Sequence, residues 1–379
     1  GLDHKSLWID EADSVYFAQH AWNNLLWRLC DPHPPGYYAL LKLFIGLGGI
    51  SEFAVRLPSA MAGALGVAAL ARLTRELTAL PGPKKAPRRR LVSQVIPATL
   101  LAVSPLHVWY SQEARMYAGV TLLGLGTAIF ALRLAREWHW PSALGYVAMA
   151  TAALLADQSA APVLVGVIGG ITLLAGLQRK RGMLRRWLSL QSVPVLLFYA
   201  WYQRASYASQ ISTSTLYPLA MLRMALDRWR HVLDAPHSIL PWQLALAGFV
   251  VIGILAVGTT ALARRDKAGH HGTISRVRPP TLTEAPRRAL ATTSTGSRAI
   301  AWLILVVYAA GTVVSVVPRL YTVKRLLVSL LPYALLLVAW ALAALPYRRL
   351  GRALILAASL VLSILNIVAI PKAPWREAV

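Results

Sequence analysis

The sequence is poor in acidic residues and almost devoid of cysteine. It has 15 Asp and Glu against 39 Lys and Arg, a net charge of +24, and its single cysteine is Cys30. One cysteine excludes an internal disulfide framework. Charged residues make up 14% of the chain and hydrophobic residues 56%. Because about twenty apolar residues span a hydrocarbon core, long apolar runs in so uncharged a chain predict a polytopic membrane protein with helical spans.

The excess of basic residues does not indicate nucleic acid as a partner. On a soluble protein it would, but here the bases cluster in short stretches between apolar segments, as the positive-inside rule requires. We expect membrane lipids to surround the protein instead. The apolar segments predict spans at approximately 58–78, 91–109, 118–136, 141–157, 160–177, 187–203, 240–262, 299–317, 326–345 and 352–370.

Placing the basic stretches in the cytoplasm gives one topology for a multi-pass protein of the plasma or inner membrane. The predicted fold is all-α, a transmembrane helical bundle. Residues 266–298 are polar and rich in Pro, Thr, Arg and Gly, which predicts a disordered loop. The predicted parts are a first extracytoplasmic loop (1–57), the bundle (58–265), the basic cytoplasmic loop (266–298), C-terminal transmembrane helices (299–371) and the start of an extracytoplasmic tail (372–379).

The first loop contains two predicted interfacial helices. In residues 14–29 the apolar side chains recur at helical spacing on one face and the polar side chains occupy the other, with Asp13 as the expected N-cap. Residues 36–50 are apolar but too short for a full span, which favours an interfacial or re-entrant helix. That choice places Asp10 and Glu113 on the same side of the membrane.

Polar residues that could carry chemistry gather on this outer side. A carboxylate can act as a general base toward a hydroxyl, and arginine offers a bidentate fork for phosphate. Acids early in the chain and cations late in it suit transfer of a group from a phosphate carrier. The candidates are Asp10, Glu11, His33, Glu113, Arg115, Tyr117, Arg319, Tyr321, Lys324 and Arg325.

Each candidate also has a structural interpretation. Asp10 or Glu11 could cap the interfacial helix, and Glu113 with Arg115 could form a rim ion pair of little energetic worth. The late cations could anchor lipid headgroups. Asp157, at the end of an apolar segment, is expected to be exposed at the rim. A catalytic or binding role is favoured because all of these candidates are predicted to lie on the same side of the membrane.

Four motifs in order resemble the GT-C superfamily of membrane glycosyltransferases. The chain is similar there to the enzymes related to protein O-mannosyltransferases and the lipid A aminoarabinose transferase. The motifs are S-L-W-I-D-E-A at 6–12, D-P-H-P-P-G-Y-Y at 31–38, S-E-F-A-V-R-L-P-S-A at 51–60 and S-P-L-H-V-W-Y-S-Q-E-A-R-M-Y-A at 104–118. The resemblance implies a polyprenyl-phosphate sugar donor used on the extracytoplasmic face, and a glycan, lipid or protein as acceptor.

The resemblance also implies roles for single residues. Asp10 is the expected catalytic base beside Glu11, while Glu113 and Arg115 position acceptor, donor phosphate or a metal. His33 lies at the rim of the active site. Arg319, Lys324 and Arg325, with Tyr321, stand where the family places cations for the lipid phosphate. A divalent metal held by Asp10, Glu11 and Glu113 stays open as a variant, since carboxylate oxygens suit a hard cation.

Two further expectations accompany the resemblance. Members of the family begin with a transmembrane helix before the acidic loop, so we expect the full-length protein to have one before Gly1. The alternative function is a transporter or flippase of a polar or lipid-linked solute, which would place ionisable groups near the bilayer midplane. A non-catalytic scaffold with the same fold is the third possibility.

Overall fold

The computed structural model describes residues 2–3, 6–27, 33–78, 87–177, 181–209, 328–336 and 339. Throughout these ranges the regular secondary structure is helical and contains no strand, so the predicted all-α fold class is confirmed. Cys30, the basic loop at 266–298, the predicted spans at 240–262, 299–317 and 352–370, and the tail at 372–379 lie outside the described residues.

Eleven α-helices are defined within the described part of the chain, and residues 328–336 form a further helical stretch. A short 3-10 helix, Gln158–Ala160, precedes α9. The helices are α1 (Ile9–Gln19), α2 (Trp22–Trp27), α3 (Gly36–Gly48), α4 (Glu52–Thr78), α5 (Pro87–Ala102), α6 (Pro105–Ser111), α7 (Tyr117–Arg136), α8 (Trp140–Ala156), α9 (Ala161–Leu177), α10 (Arg181–Leu190) and α11 (Ser192–Ser209).

The first loop departs from the prediction in its helix boundaries. The expected single helix at 14–29 is two helices, because the extended backbone of His20 (φ −59°, ψ 152°) ends α1. Asp13 lies inside α1 and is not its cap; the N-cap is Trp8. α3 has 13 residues, about 20 Å at 1.5 Å per residue. That length is short of the hydrocarbon core, as expected for an interfacial helix.

Two of the described helices, α4 and α7, are long and apolar enough to cross a membrane. α4 begins at Glu52, before the predicted start of its span at 58. The predicted span at 91–109 is interrupted between α5 and α6, where Pro105 occupies the first turn of α6. The predicted span at 187–203 likewise covers the end of α10 and the start of α11.

The helices bury two hydrophobic clusters. The larger lies among α4, α7, α8 and α9 and includes Leu330, Leu331, Tyr333, Ala334 and Leu336. The smaller joins α1 and α3 to the start of α4, to the segment before α7 and to Val328. Since apolar burial is the dominant favourable term in packing, the second cluster is what fixes the first loop over one end of the bundle.

A close approach between α3 and α8 depends on Gly36. A Cβ added there would lie 2.6 Å from the backbone oxygen of Leu155, a separation that no side chain tolerates. The absence of a side chain therefore lets the start of α3 lie directly against the end of α8. This contact brings His33, just before α3, to Asp157, just after α8.

α4 and α7 run in the same direction, and each end carries its own polar cluster. At their C-terminal ends Glu76 pairs with Arg72, Arg133 and Arg136. Arg56, near the start of α4, pairs with Glu11. Positions 56 and 76 are separated by about 30 Å at 1.5 Å per residue, close to the thickness of a hydrocarbon core. The polar residues of the first loop therefore lie at the opposite end from Glu76.

Candidate active site

Glu11 is the centre of a buried network that joins three parts of the chain. Its side chain has no exposed surface. Arg56 donates from Nε to Oε1 at 2.9 Å and from Nη2 to Oε2 at 2.7 Å, the bidentate geometry of a strong charge-assisted pair. The backbone N–H of Ala114 donates to Oε1 at 2.8 Å and that of Trp8 to Oε2 at 3.3 Å.

These hydrogen bonds indicate a structural role for Glu11. Each carboxylate oxygen accepts one hydrogen bond from Arg56 and one from the backbone, so few lone pairs are left for a substrate. The bond to Trp8 N also caps the first turn of α1, as the structural interpretation of the acidic pair expected. Arg56 in turn donates to the carbonyls of Leu2 at 2.6 Å and Ser6 at 3.1 Å. The pair therefore ties the N-terminal segment to α4 and to the loop before α7.

Arg115 lies beside this network and faces the first loop. Its Nη1 donates to the backbone oxygen of Asp10 at 3.0 Å and to Ser14 Oγ at 3.1 Å. Its side chain lies over the ring of Tyr117, with Cζ 6.0 Å from the ring centroid. Burial lowers the pKa of Arg115, but Tyr117, Tyr38 and Asp10 outweigh burial and hold the pKa above its usual value. A buried, permanently charged guanidinium is therefore fixed next to Asp10.

His33 bridges Arg115 and Asp157. The Nδ1 atom of His33 lies 2.7 Å from Asp157 Oδ2, and the Nε2 atom lies 3.4 Å from Arg115 Nη2. Because arginine can only donate, Nε2 is the acceptor and Nδ1 carries the hydrogen that Asp157 receives. The imidazole is thus held as one tautomer between a carboxylate and a guanidinium.

The prediction that Asp157 is exposed at the rim is wrong. Asp157 is 1% exposed, and besides His33 it accepts the backbone N–H of Ser159 at 2.8 Å. Burial raises the pKa of Asp157, but the hydrogen bonds from His33 and Ser159 outweigh burial and hold it below its usual value. The close packing at Gly36, which the composition of the apolar segment does not reveal, is what buries it.

A second hydrogen-bonded chain supports the loop that carries Arg115. Ser59 Oγ donates to the backbone oxygen of Arg115 at 2.9 Å, and Tyr37 Oη lies 3.4 Å from Ser59 Oγ. Burial raises the pKa of Tyr37 well above its usual value, so its hydroxyl stays protonated and can donate. These contacts connect α3 and α4 to the backbone of Arg115.

Six of the ten predicted site residues are brought together at this end of the bundle. Asp10 is partly buried, and its backbone contacts Arg115. Glu113 is 3% exposed and Arg115 is 5% exposed, so the alternative interpretation of these two residues as a weak ion pair at the rim does not fit their burial. Arg319, Tyr321, Lys324 and Arg325 lie outside the described residues. Val328, the first residue described after them, packs in the same cluster as Tyr117.

The residues proposed for a metal do not fit one. In the described ranges no three His, Cys, Asp or Glu residues form a group that could hold an ion. Glu11, one of the three predicted ligands, gives its oxygens to Arg56 and to backbone N–H groups. A metal would have to displace these bonds, so the arrangement favours chemistry by carboxylates and arginines.

Two important residues were missed by the sequence interpretation, Arg56 and Asp157. Both are charged residues beside apolar segments: Arg56 lies just before the predicted span at 58–78, and Asp157 lies at the end of the span at 141–157. A charge in such a place is costly without a partner. From this cost the sequence could have indicated that Arg56 pairs with an acidic residue and that Asp157 accepts a hydrogen bond. The sequence alone did not show which partners would meet.

Comparisons with known proteins identify the fold. No protein-family model matches the chain, and no curated protein is significantly similar to it in sequence. Its structure is similar to that of ArnT from Cupriavidus metallidurans in the apo state, with a TM-score of 0.55 and 17% identity. It is equally similar, at 15% identity, to ArnT of the same organism bound to undecaprenyl phosphate. Both matches cover 98% of this chain and 63% of the solved chain.

The chain therefore has the fold of ArnT, a lipid A aminoarabinose transferase of the GT-C type. The similarity confirms the fold that the resemblance of the four motifs implied. The match extends over less than two thirds of the solved proteins, and sequence identity is low.

Proposed function

We propose that this protein is a membrane glycosyltransferase that moves a sugar from a polyprenyl-phosphate donor to an acceptor hydroxyl. The observation that carries the proposal is the shared fold with a protein solved with undecaprenyl phosphate. The carboxylates and the arginine at one end of the helices supply the chemistry that such a transfer requires.

Asp10 is the proposed general base. It accepts the proton of the acceptor hydroxyl while the acceptor oxygen forms a bond to the anomeric carbon. The bond between that carbon and the phosphate oxygen breaks, the lipid phosphate leaves with the electron pair, and the configuration of the sugar inverts. Arg115, whose charge is fixed beside Asp10, stabilises the negative charge of the phosphate or orients the acceptor.

The remaining predicted residues complete this site as part of the proposal. Arg319, Lys324 and Arg325 are proposed to hold the lipid phosphate with Tyr321. Val328, three positions after Arg325, lies in the same buried cluster as Tyr117, which supports this placement. Glu113 and Tyr117 are proposed to line the substrate, and Glu11 to support the loop that carries Asp10.

The site is proposed to open on the extracytoplasmic side. The basic residues Arg133 and Arg136 lie at the opposite end of α7, and bases mark the cytoplasmic side of a membrane protein. The charged residues of α4 and α7 lie within the first two or last two turns of these helices. A transporter would require ionisable groups near the midplane, so this distribution favours transfer.

One assay separates the three candidate functions. The full-length protein is reconstituted in liposomes with undecaprenyl phosphate that carries radiolabelled mannose or aminoarabinose. Label that moves to an acceptor in a lipid or protein fraction supports the proposal. Label that crosses the bilayer while still on its lipid indicates a flippase, and label that does neither indicates a scaffold; either result overturns the transfer hypothesis.

A further inference from the structure

Asp157 is a buried carboxylate that the mechanism above does not use. Its side chain reaches the site through His33, whose ring separates it from Arg115. The three side chains come from distant parts of the sequence, and the close packing of Gly36 against Leu155 is required to bring them together. Burying a carboxylate costs free energy, and the hydrogen bond to the turn at Ser159 does not account for placing one here.

The geometry defines what the pair can do. Asp157 accepts the Nδ1 hydrogen of His33, so the second ring nitrogen is directed toward Arg115 Nη2, 3.4 Å away. The His33 side chain is 18% exposed, whereas Asp157 is 1% exposed. Thus Nε2 faces Nη2 of Arg115, and Asp157 contacts the ring through its other nitrogen.

The charge balance changes when an anion arrives. Arg115 carries a fixed positive charge, and its Nη2 atom lies 3.4 Å from Nε2 of the ring. A phosphate that accepts hydrogen bonds from Arg115 Nη2 offsets this charge, and the carboxylate of Asp157 stabilises an imidazolium. Histidine changes its charge near neutral pH, so the ring can then take one proton from water at Nε2 and donate it in a hydrogen bond to the phosphate.

We propose that Asp157 is a positioning residue that acts through His33: it holds the imidazole toward Arg115 and stabilises the imidazolium when a lipid-linked phosphodiester binds both side chains. The inference rests on the proposed function for the class of ligand. It assigns Asp157 and His33 to donor binding, with uptake of a proton, and leaves proton abstraction from the acceptor to Asp10.

The effect of His33 has to be distinguished from that of the other charged groups at this end of the bundle. Asp10 lies beyond Arg115 and contacts it through its backbone. Glu11 and Arg56 neutralise each other in the buried network. Taken element by element, the charged groups are Asp10 and Glu11 from α1, Arg56 from α4, Glu113 and Arg115 from the loop before α7, and Asp157 after α8.

The test measures proton uptake during binding. The probe is methyl farnesyl phosphate, a phosphodiester that does not titrate near neutral pH, so any proton taken up goes to the protein. Calorimetry of the full-length protein in two buffers with different ionisation enthalpies gives the number of protons. We expect uptake approaching about one proton per ligand near pH 7, and affinity that weakens as the pH rises.

Three variants assign the proton. Asp157→Asn keeps a hydrogen-bond acceptor for Nδ1 but removes the charge, so uptake falls by at least about half and the donor KM rises more than kcat falls. His33→Gln abolishes uptake. His20→Gln, a matched control at the residue directly after α1, whose Nδ1 contacts Tyr16 O, retains uptake. Asp10→Asn also retains it, which excludes Asp10 as the acceptor of this proton.

The failures are distinguishable. If the wild type binds the probe without proton uptake, or if Asp157→Asn binds with the same uptake and KM as the wild type, the inference is overturned. Asp157 then only caps the turn at Ser159, and the proposed transferase function stands. If the wild type transfers sugar in the liposome assay but does not bind the probe, the phosphate role of His33 and Arg115 is wrong. If it neither binds nor transfers, the proposed function is wrong as well.

Discussion

Neighbouring carboxylates at positions 10 and 11 have different environments. Glu11 is fully buried and bonded to Arg56, Ala114 and Trp8, whereas Asp10 is partly exposed. Adjacent residues on a helix point about 100° apart, so one faces the bundle and the other its rim. This geometry predicts that Glu11 contributes to folding and Asp10 to chemistry.

Glu11→Gln should destabilise the protein strongly. The substitution leaves Arg56 charged and buried without its partner, which costs on the order of 3–5 kcal/mol. We expect a large loss of thermal stability in detergent, measured by the melting of tryptophan fluorescence. Glu11→Gln with Arg56→Gln should lose less than Glu11→Gln alone, since no unpaired charge remains. Equal stability of Glu11→Gln and the wild type would contradict the structural assignment.

The sequence predicts which residues form the site better than it predicts what each of them does there. The four motifs select Asp10, Glu11, Glu113 and Arg115, and all four lie at one end of the bundle. Whether a carboxylate is exposed or committed to a partner depends on contacts between distant segments. Glu11 with Arg56 and Asp157 with His33 are 45 and 124 positions apart, beyond what local spacing can reveal.

The contact between α3 and α8 controls the position of His33. The two helices meet where Gly36 lies against Leu155. A packed interior transmits even a small displacement, so separating these helices moves His33 away from Asp157. The glycine at the start of α3 therefore controls the position of a histidine in the site.

Gly36→Ala should lower both stability and transfer. The added Cβ would lie 2.6 Å from Leu155 O and would force α3 away from α8. Gly46→Ala on the same helix is the control, because nothing lies within 4 Å of its Cβ; alanine there should be neutral or stabilising by up to about 1 kcal/mol. Thermal melting and the donor KM of both variants provide the measurement. Identical behaviour of the two would show that the contact is not tight.

Helices were predicted well where their apolar face is continuous and less well at their ends. The segments at 118–136 and 141–157 closely match α7 and α8. The prediction failed where a local backbone feature interrupts an apolar run, as at His20 and Pro105. Such interruptions depend on dihedral angles and proline geometry, and hydrophobic periodicity does not report them.

The whole molecule has a polar cluster at each end of α4 and α7. The cluster around Glu76 with its three arginines and the network around Glu11 are about 30 Å apart along α4. A bilayer that covers the apolar surface between them would leave one cluster on each side. The predicted orientation, with bases in the cytoplasm, places Glu76 inside and Asp10 outside.

Cysteine labelling tests this orientation. In a Cys30→Ser background of the full-length protein, Asn24→Cys and Glu137→Cys introduce thiols at exposed positions near the two ends. A membrane-impermeant maleimide added to intact cells should label position 24, and should label position 137 only after permeabilisation. Labelling of both from outside, or of position 137 alone, would contradict the topology.

The shared fold with ArnT could be expected from the four ordered motifs, because they lie in the segments that build one end of the bundle. Helix count and charge alone would also have allowed a transporter. What the sequence could not supply was the assembly of α1, α3 and the end of α8 around Arg115, since these contacts depend on packing between segments that are distant in the chain.

The central claim is that the end of the bundle around Arg115 performs sugar transfer with Asp10 as the base. The most direct measurement compares full-length wild type and Asp10→Asn in liposomes with a radiolabelled polyprenyl-phosphate sugar, after both show the same melting temperature. The predicted result is a loss of transfer by at least about a hundredfold with donor binding retained. Transfer by Asp10→Asn at the wild-type rate would contradict the claim.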